Sequence, residues 1–306
     1  MWTGRSLLSM SGADALEARS LLGMAHGDAW RGDELAGKVV ANLFFEDSTR
    51  TRVSFSIAGQ TLGAKVVDLA SKGSSVAKGE TLLDTAWTIE AMGVDAMVVR
   101  AGQSGAAELI DAHTRCPIIN AGDGTHQHPT QALTDVLTIG RSFGRESDWD
   151  LSGLRVAIVG DVVSSRVARS NVGLLTALGA EVVLVGPPSM VPVSLTSLGC
   201  SVTSGFDSVL RECDAVMMLR IQFERGGGAV LASTREYFAR FGMSEERAGR
   251  MKDGGIVMHP GPMNRGVEIA AAVADGDALG GRSVVLDQVA GGVLVRKAAL
   301  FCAIGE

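Results

Sequence analysis

The chain has 306 residues, of which 46% are apolar, and this length exceeds the usual size of one domain. We therefore expect two packed units. The 28 Lys and Arg against 34 Asp and Glu give a net charge of −6, which argues against a nucleic-acid or anionic-membrane surface and favours positive charge concentrated in a pocket.

The cysteines and the apolar runs bear on the compartment. No two cysteines have C-x-x-C spacing, so they predict neither a disulfide framework nor a structural zinc site, and they fit a reducing cytosol. They are Cys116, Cys200, Cys213 and Cys302. The N-terminal segment carries Asp14 and Glu17 among its leucines, and no apolar run approaches the roughly 20 residues that cross a bilayer. We expect a cytoplasmic protein without an export signal.

Short apolar runs alternate with longer amphipathic segments along the whole chain. In the first half these runs are residues 38–45, 64–69, 95–99 and 117–120, and in the second half they are residues 155–159, 181–185, 215–219 and 255–258. They lack the alternation of a half-exposed strand, so they predict parallel strands covered on both faces. The predicted fold class is α/β, with two doubly wound parallel-sheet domains.

Two segments predict long helices that join the domains. Residues 129–144 begin with Pro129, which suits a first helical turn, and end at Gly144. Near the C-terminus, "AGGVLVRKAALFCAIG" has apolar residues at helical spacing and could return to the first domain. We therefore assign residues 1–128 plus 289–306 to one domain and residues 129–288 to the other.

A polar cluster follows the first predicted strand, in "VANLFFEDSTRTRVSF". Ser48 is predicted to cap a helix over about residues 49–62, whose dipole and unpaired amides attract an anion. Arg50 offers a bidentate fork, and Thr49 and Thr51 add hydroxyl donors. The cluster therefore predicts a phosphate cradle. The alternative is a simple helix cap followed by solvated arginines.

This stretch resembles the carbamoyl-phosphate loop of the transcarbamoylase family, and six further motifs resemble those of the family in the same order. They are SSVAKGET (74–81), VVRAGQ (98–103), QHPTQ (127–131), GDVVSSR (160–166), LRIQFER (219–225) and HPGPMNR (259–265). The resemblance covers nearly the whole chain, and its ordered series of motifs is far more specific than any one of them.

The motifs resemble the aspartate branch of the family more than the ornithine branch. The ornithine branch usually has H-P-C-Q, S-M-G and H-C-L-P motifs, whereas this chain has H-P-T-Q at 128–131, H-P-G-P at 259–262 and no S-M-G. A dicarboxylate also needs cations, and Arg166, Arg220 and Arg225 follow predicted strands of the second domain.

The resemblance implies a reaction and a set of site residues. The α-amine of L-aspartate would attack carbamoyl phosphate and give N-carbamoyl-L-aspartate and phosphate, in de novo pyrimidine biosynthesis, with no cofactor and no metal. The residues implied as catalytic are Arg50, Thr51, Arg100 and His128. Those implied for carbamoyl phosphate binding are Ser48, Thr49, Arg50, Thr51, Ser74, Lys78, Arg100, His128 and Gln131, and those implied for aspartate are Lys78, Arg166, Arg220 and Gln222.

One motif departs from the family pattern. Gly261 stands where the best-known aspartate forms have leucine. The resemblance implies that the substrate is contacted by the backbone carbonyls of Gly261 and Pro262, which a glycine preserves while adding flexibility. The affinity for the amine could change, but we expect the reaction to be the same.

The resemblance also implies partners. In the family, the loop that carries Ser74 and Lys78 reaches the active site of the adjacent subunit, which implies a homotrimer with shared active sites. A regulatory chain or a dihydroorotase partner is possible and cannot be read from these residues. Glu46 beside a phosphate loop needs a positive partner, and we predict Arg166 and Arg225 of the second domain, in a contact that forms on domain closure.

Four other interpretations remain open. His126, His128 and Asp123 could suggest a metal site, although no further strong ligand follows them. A nicotinamide-dependent dehydrogenase would need G-x-G-x-x-G, whereas Gly160 is followed by Asp161 and bulky residues. A catalytically inactive homologue acting as a scaffold should have lost cradle residues, which are all present here. The fourth interpretation is transfer of the carbamoyl group to another amine, such as ornithine.

Overall fold

The computed structural model describes residues 4–70, 79–222, 233–276 and 282–305. The chain divides into two units: unit 1 comprises Met1–Leu137 and Ala290–Glu306, and unit 2 comprises Thr138–Val289. Three predicted site residues, Ser74, Lys78 and Arg225, lie outside the described residues. In the described parts of the chain, no helix combines the length and the apolar character that a membrane span requires.

Unit 1 contains one parallel sheet with helices between its strands. Its elements in chain order are α1 (Ala15–Gly27), β1 (Val39–Phe44), α2 (Thr49–Thr61), β2 (Lys65–Ala70), α3 (Leu82–Ala91), β3 (Ala96–Ala101), α4 (Ala106–Asp111) and β4 (Ile118–Asp123). The strand order is β2-β1-β3-β4, and each neighbouring pair is parallel.

Unit 2 contains a second parallel sheet, with strand order β10-β9-β8-β5-β6-β7. Its elements are β5 (Arg155–Val159), α6 (Arg166–Ala177), β6 (Glu181–Val185), β7 (Ser201–Thr203), α7 (Phe206–Val209), β8 (Ala215–Met218), α8 (Thr234–Phe241), α9 (Glu245–Ala248), β9 (Ile256–Met258), α10 (Ala271–Asp275) and β10 (Arg282–Ser283). Short 3₁₀ helices cover Val193–Leu198 and Leu210–Glu212.

Two helices run across the unit boundaries. They are α5 (Pro129–Ser142), which crosses the 137/138 boundary, and α11 (Val285–Ile304), which crosses 289/290. The C-terminal part of α11 belongs to unit 1, where Arg296 lies over the ring of Phe55 at 5.3 Å from its centroid.

The predicted α/β class with two parallel sheets is confirmed. Every residue of β4 and β8 is buried, and in β1, β3, β5 and β6 one residue at most reaches the surface. This burial explains the uninterrupted apolar runs of the sequence. The prediction missed β7 and β10, which have three and two residues and expose part of their side chains.

The strand order places one topological switch point in each unit. In unit 1 the chain leaves β1 toward β2 on one side and returns to β3 on the other. In unit 2 the corresponding pair is β5 and β8. In open parallel sheets, ligands bind beyond the carboxyl ends of the strands that flank such a point. The predicted site residues 46–51 follow β1, Arg166 follows β5, and Arg220 and Gln222 follow β8, whereas His128 and Gln131 follow β4 and Gly261 and Pro262 follow β9.

Candidate functional site

In unit 1 the first candidate site is the start of α2, which begins directly after β1. Ser48 is its N-cap residue, but its side chain makes no capping hydrogen bond, so that detail of the prediction is wrong. Ser165 and Ser233, in contrast, cap α6 and α8 through their hydroxyls.

The side chains of this first turn differ in exposure. Thr49 and Arg50 are exposed, and Ser48 is half-buried. Thr51 is buried, with 7% of its surface exposed. A helix start that is not closed by its own cap and carries an exposed guanidinium has the donors that a phosphate group requires.

Arg100 lies at the carboxyl end of β3, across the switch point from α2. The β1–β3 register pairs it with Phe44. Its Nη1 donates to the carbonyl oxygen of Ala121 at 3.0 Å, and its Nε lies 3.5 Å from Oε2 of Glu46. Arg100 was not among the partners predicted for Glu46 from the sequence. The predicted pairing of Glu46 with Arg166 joins the two units and stays a prediction.

Asp123, at the end of β4, is 1% exposed and organises the turn before α5. Its carboxylate accepts from Asn120 Nδ2 at 2.8 Å, from the backbone N–H of Gly105 at 2.6 Å and of Gln127 at 3.0 Å, and from His126 Nδ1 at 3.0 Å. Four N–H donors use the lone pairs that a metal ligand would need. Within residues 4–70, 79–222, 233–276 and 282–305, no group of three or more His, Cys, Asp or Glu side chains could hold a metal ion.

His128 and Gln131 lie at the start of α5. His128 is buried, with 4% exposure, and precedes Pro129. The side-chain amide of Gln131 donates to Oδ1 of Asp135 at 2.8 Å, one helical turn along. Burial lowers the pKa of Arg296 to about 10, and the nearby carboxylate of Asp135, which is fully buried, opposes this shift. Asp135 thus fixes the orientation of Gln131. The spacing of four residues between them on a predicted helix could have predicted this hydrogen bond from the sequence.

In unit 2 the predicted aspartate residues gather around the β5/β8 switch point. Arg166 is the first residue of α6 and is 6% exposed, and the Ser165 hydroxyl caps this helix through the amide of Ala168 at 3.2 Å. Arg220 and Gln222 follow β8 and are half-buried. The amide of Gln222 donates to the Ser164 carbonyl at 3.1 Å. This bond joins the residues after β8 to the loop before α6.

The turn after β9 carries the remaining predicted contacts, Gly261 and Pro262. The Gly261 N–H donates to Nδ1 of buried His259 at 2.8 Å, and His259 Nε2 lies 3.2 Å from Oε1 of Glu268. Gly261 has a φ of 64°, in the left-handed region that favours glycine over leucine. The Gly261–Pro262 peptide bond is cis.

The candidate residues are thus divided between the two units. Unit 1 holds Glu46, Ser48, Thr49, Arg50, Thr51, Arg100, His128 and Gln131, and unit 2 holds Arg166, Arg220, Gln222, Gly261 and Pro262.

Comparisons with known proteins match both units. Residues 5–141 match the family described as "Aspartate/ornithine carbamoyltransferase, carbamoyl-P binding domain", and residues 152–303 match "Aspartate/ornithine carbamoyltransferase, Asp/Orn binding domain". Among curated relatives, the aspartate carbamoyltransferase catalytic subunit of Myxococcus xanthus (strain DK1622) is 54% identical over 300 residues, which cover 97% of this chain and 98% of that protein.

Solved structures of both branches have a similar fold. The aspartate transcarbamoylase of Trypanosoma cruzi, in complex with N-(phosphonacetyl)-L-aspartic acid, has a TM-score of 0.87 and 30% identity, with 99% of this chain and 97% of that chain covered. The ornithine carbamoyltransferase of Thermus thermophilus has a TM-score of 0.84 and 27% identity, with 98% of each chain covered.

Proposed function

Because this chain belongs to the aspartate/ornithine carbamoyltransferase family, we propose that it is an aspartate carbamoyltransferase, which transfers the carbamoyl group of carbamoyl phosphate to the α-amine of L-aspartate. The observation that carries the proposal is that each unit has cationic side chains at the switch point of its parallel sheet. The identity of 54% to an aspartate enzyme supports aspartate as the amine.

We assign the phosphate of carbamoyl phosphate to the first turn of α2. Its amides, the hydroxyls of Ser48, Thr49 and Thr51, and the Arg50 guanidinium would neutralise the phosphate charge. Thr51, Arg100 and His128 would stabilise the oxyanion that develops on the carbamoyl carbonyl, with Gln131 beside them. The departing phosphate can accept the amine proton, so no further general base is required.

We assign the two carboxylates of aspartate to Arg166 and Arg220, with Gln222 assisting. Arginine forks match carboxylates in geometry and charge. The side-chain ammonium of ornithine would meet like charge in the same place, which is why aspartate is the better fit. We keep Ser74 and Lys78 in the carbamoyl phosphate set, Lys78 in the aspartate set and Arg225 as a partner of Glu46, as the resemblance implies.

The direct test is product formation from carbamoyl phosphate with aspartate and with ornithine, using the native chain and Arg50→Ala. We expect carbamoyl aspartate from the native chain and far less from the variant. Citrulline as the main product would overturn the choice of amine. Product from neither amine would favour the inactive scaffold.

We further propose that the enzyme is a homotrimer with shared active sites. Two exposed features of unit 1 support a second copy as the partner: Val53 and Ile57, one turn apart on α2 and each 46% exposed, and the edge strand β2, whose Val67 is 48% exposed. Sedimentation velocity should give a trimer for the native chain, and Ile57→Glu should dissociate it and lower the activity. An active native monomer would refute the trimer.

The reaction would serve de novo pyrimidine biosynthesis in the cytoplasm. The four cysteines are all unpaired thiols, which fits a reducing compartment. The curated relative is named a catalytic subunit, so a regulatory chain or a dihydroorotase is a possible partner. A partner can be tested by comparing the sedimentation coefficient of the native assembly from its own cells with that of the isolated chain. A larger assembly in the cells would support a partner.

A further inference from the structure

Glu268 was given no role by the sequence analysis, yet it is completely buried beside the predicted aspartate site. It lies between the turn after β9 and α10, and its relative exposure is 0%. Its Oε1 accepts hydrogen bonds from two ends of that turn: the ring of His259 at 3.2 Å and the backbone N–H of Asn264. One carboxylate oxygen therefore closes the segment that carries Gly261 and Pro262.

The contacts of His259 define its protonation. The Gly261 N–H can only donate, so Nδ1 of His259 is the acceptor in their 2.8 Å hydrogen bond. Nε2 therefore carries the proton and donates to Glu268. The backbone N–H of His259 donates to Oε1 of Gln288 at 2.8 Å, which fixes the imidazole from the main-chain side.

The same turn is tied to the residues after β8. The side-chain amide of Asn264 donates to the carbonyl oxygen of Ile221 at 3.1 Å. Ile221 is completely buried and stands between Arg220 and Gln222. A displacement of the turn would therefore be transmitted to the main chain between the two side chains that we assign to aspartate.

Glu268 places an ionisable carboxyl in a completely buried position, which is costly for a group that serves only to close a turn. A neutral amide could close the same turn without burying a charge. A carboxylate, in contrast, strongly favours the Nε2–H tautomer of His259, which leaves Nδ1 as an acceptor for Gly261.

We propose that Glu268 and His259 are positioning residues of the aspartate site, which hold the 259–264 turn in register with Arg220 and Gln222. This role rests on the proposed function, because those residues contact aspartate only if the chain catalyses that reaction. Neither Glu268 nor His259 touches the reacting atoms. Their effect on the reaction passes through Gly261, Pro262 and the main chain at Ile221.

The test compares Michaelis constants for both substrates in a set of single variants and one double variant. Glu268→Ala removes both contacts of the carboxylate. Asn264→Ala removes only the bond to Ile221 and keeps the backbone donor to Glu268, so it is the milder variant. Arg265→Ala is the matched control in the same segment, because Arg265 forms an exposed ion pair with Asp275.

We expect Glu268→Ala to raise the KM for aspartate about tenfold or more, since small displacements of substrate-positioning groups have large effects. Asn264→Ala should raise the KM for aspartate about threefold. In the Glu268→Ala/Asn264→Ala double variant, the rise in this KM should be smaller than the product of the two single rises, because both residues act through one hydrogen-bond network. The KM for carbamoyl phosphate should change less than about twofold in every variant. Glu268→Gln, whose amide oxygen can still accept, should recover part of the loss.

Three outcomes would overturn the role. If Glu268→Ala folds and its KM for aspartate is unchanged, the positioning role is wrong. If Glu268→Ala does not fold, an unchanged KM for aspartate in Asn264→Ala would overturn the role. An equal rise for both substrates with a lower Tm would show a merely structural residue. A native chain that makes no carbamoyl aspartate overturns the proposed function and this role with it, whereas an active native chain with unaffected variants overturns the role alone.

Discussion

The Nε atom of Arg100 lies 3.5 Å from Oε2 of Glu46, so the ends of β3 and β1 are joined by an ion pair beside the proposed phosphate cradle. The side chains of these residues are only 12% and 27% exposed. The pair holds in place a guanidinium that we assign to the carbamoyl carbonyl. It also explains how a carboxylate could be accommodated next to the proposed anion site.

We expect Glu46→Gln to raise the KM for carbamoyl phosphate about fivefold, because a partly buried ion pair of this kind contributes about 1 kcal/mol. Initial rates at varied carbamoyl phosphate measure the change, and Asp47→Asn, an exposed neighbour, is the control. An effect confined to the aspartate KM and kcat would favour the predicted closure contact with Arg166 and Arg225. No effect on either substrate would contradict both.

Arg50→Ala should lower kcat by roughly 100-fold or more, as removal of a transition-state donor does. Arg50 is exposed, so the effect on the Tm should be small. Arg52→Ala, on the same helix, is the matched control and should retain most of the activity. Equal losses in both variants would mean that the helix start responds to net charge and not to the Arg50 fork.

Buried strands were predicted from the sequence more accurately than partly exposed ones. Residues 155–159 and 181–185 were predicted with the bounds that β5 and β6 have, because these strands are covered on both faces and are apolar almost throughout. Ser201–Thr203 was missed because a three-residue edge strand with polar, partly exposed residues leaves no apolar run.

The site was predictable to the extent that it lies in local motifs. Arg50, Arg166 and Arg220 all follow strands at switch points, as expected from the motifs. The partners Arg100 for Glu46 and Glu268 for His259 were not predicted. The Arg100–Glu46 pair forms because β1 and β3 are adjacent in the sheet. Strand order is not visible in a local sequence pattern, and neither is the contact between His259 and Glu268.

Arg247 stabilises the end of α8 in unit 2. Its guanidinium donates to the carbonyls of Gly242 at 2.7 Å and Ala239 at 2.9 Å, and to both oxygens of Asp207 at 3.0 Å. We expect Arg247→Ala to lower the free energy of unfolding by about 3 kcal/mol, since hydrogen bonds from a charged donor are lost. Urea unfolding at fixed protein concentration measures it.

Arg250→Ala is the control for this variant, because Arg250 contacts the same carboxylate at 3.1 Å from a more exposed position. Its cost should stay below about 1 kcal/mol, as for surface ion pairs. Equal costs for the two variants would contradict the importance of the bonds to the helix carbonyls.

The stability contributed by Asp207 should depend on acid pH. Hydrogen bonding to Arg247 holds the pKa of Asp207 below its ordinary value of 3.8. A carboxyl whose pKa is lower in the folded state stabilises the fold above the unfolded pKa and loses this contribution as the pH falls through the folded one. The stability difference between the native chain and Arg247→Ala should therefore shrink below about pH 4. A difference that is constant down to pH 2.5 would contradict this.

All four thiols should react slowly in the native protein. Burial raises the pKa of Cys116 to about 12 and those of Cys213 and Cys302 to about 11, and it also raises the pKa of Cys200. Thiolate is the reactive form, so a disulfide reagent at pH 8 should titrate all four groups quickly only after denaturation. Rapid modification of one native thiol would contradict the assignment for that cysteine.

Unit 1 takes its residues from both ends of the chain, so the ribosome delivers its last part only after unit 2 is complete. The Gly4 N–H donates to the Cys302 carbonyl at 2.9 Å, and Lys297 pairs with Asp28. Domains fold as units during translation, so unit 2 can fold as an insertion while residues 1–137 wait for residues 290–306. The four strands of unit 1 all lie within residues 1–137, so its sheet can form early, and the packing of Arg296 on Phe55 is added only when the end of α11 emerges.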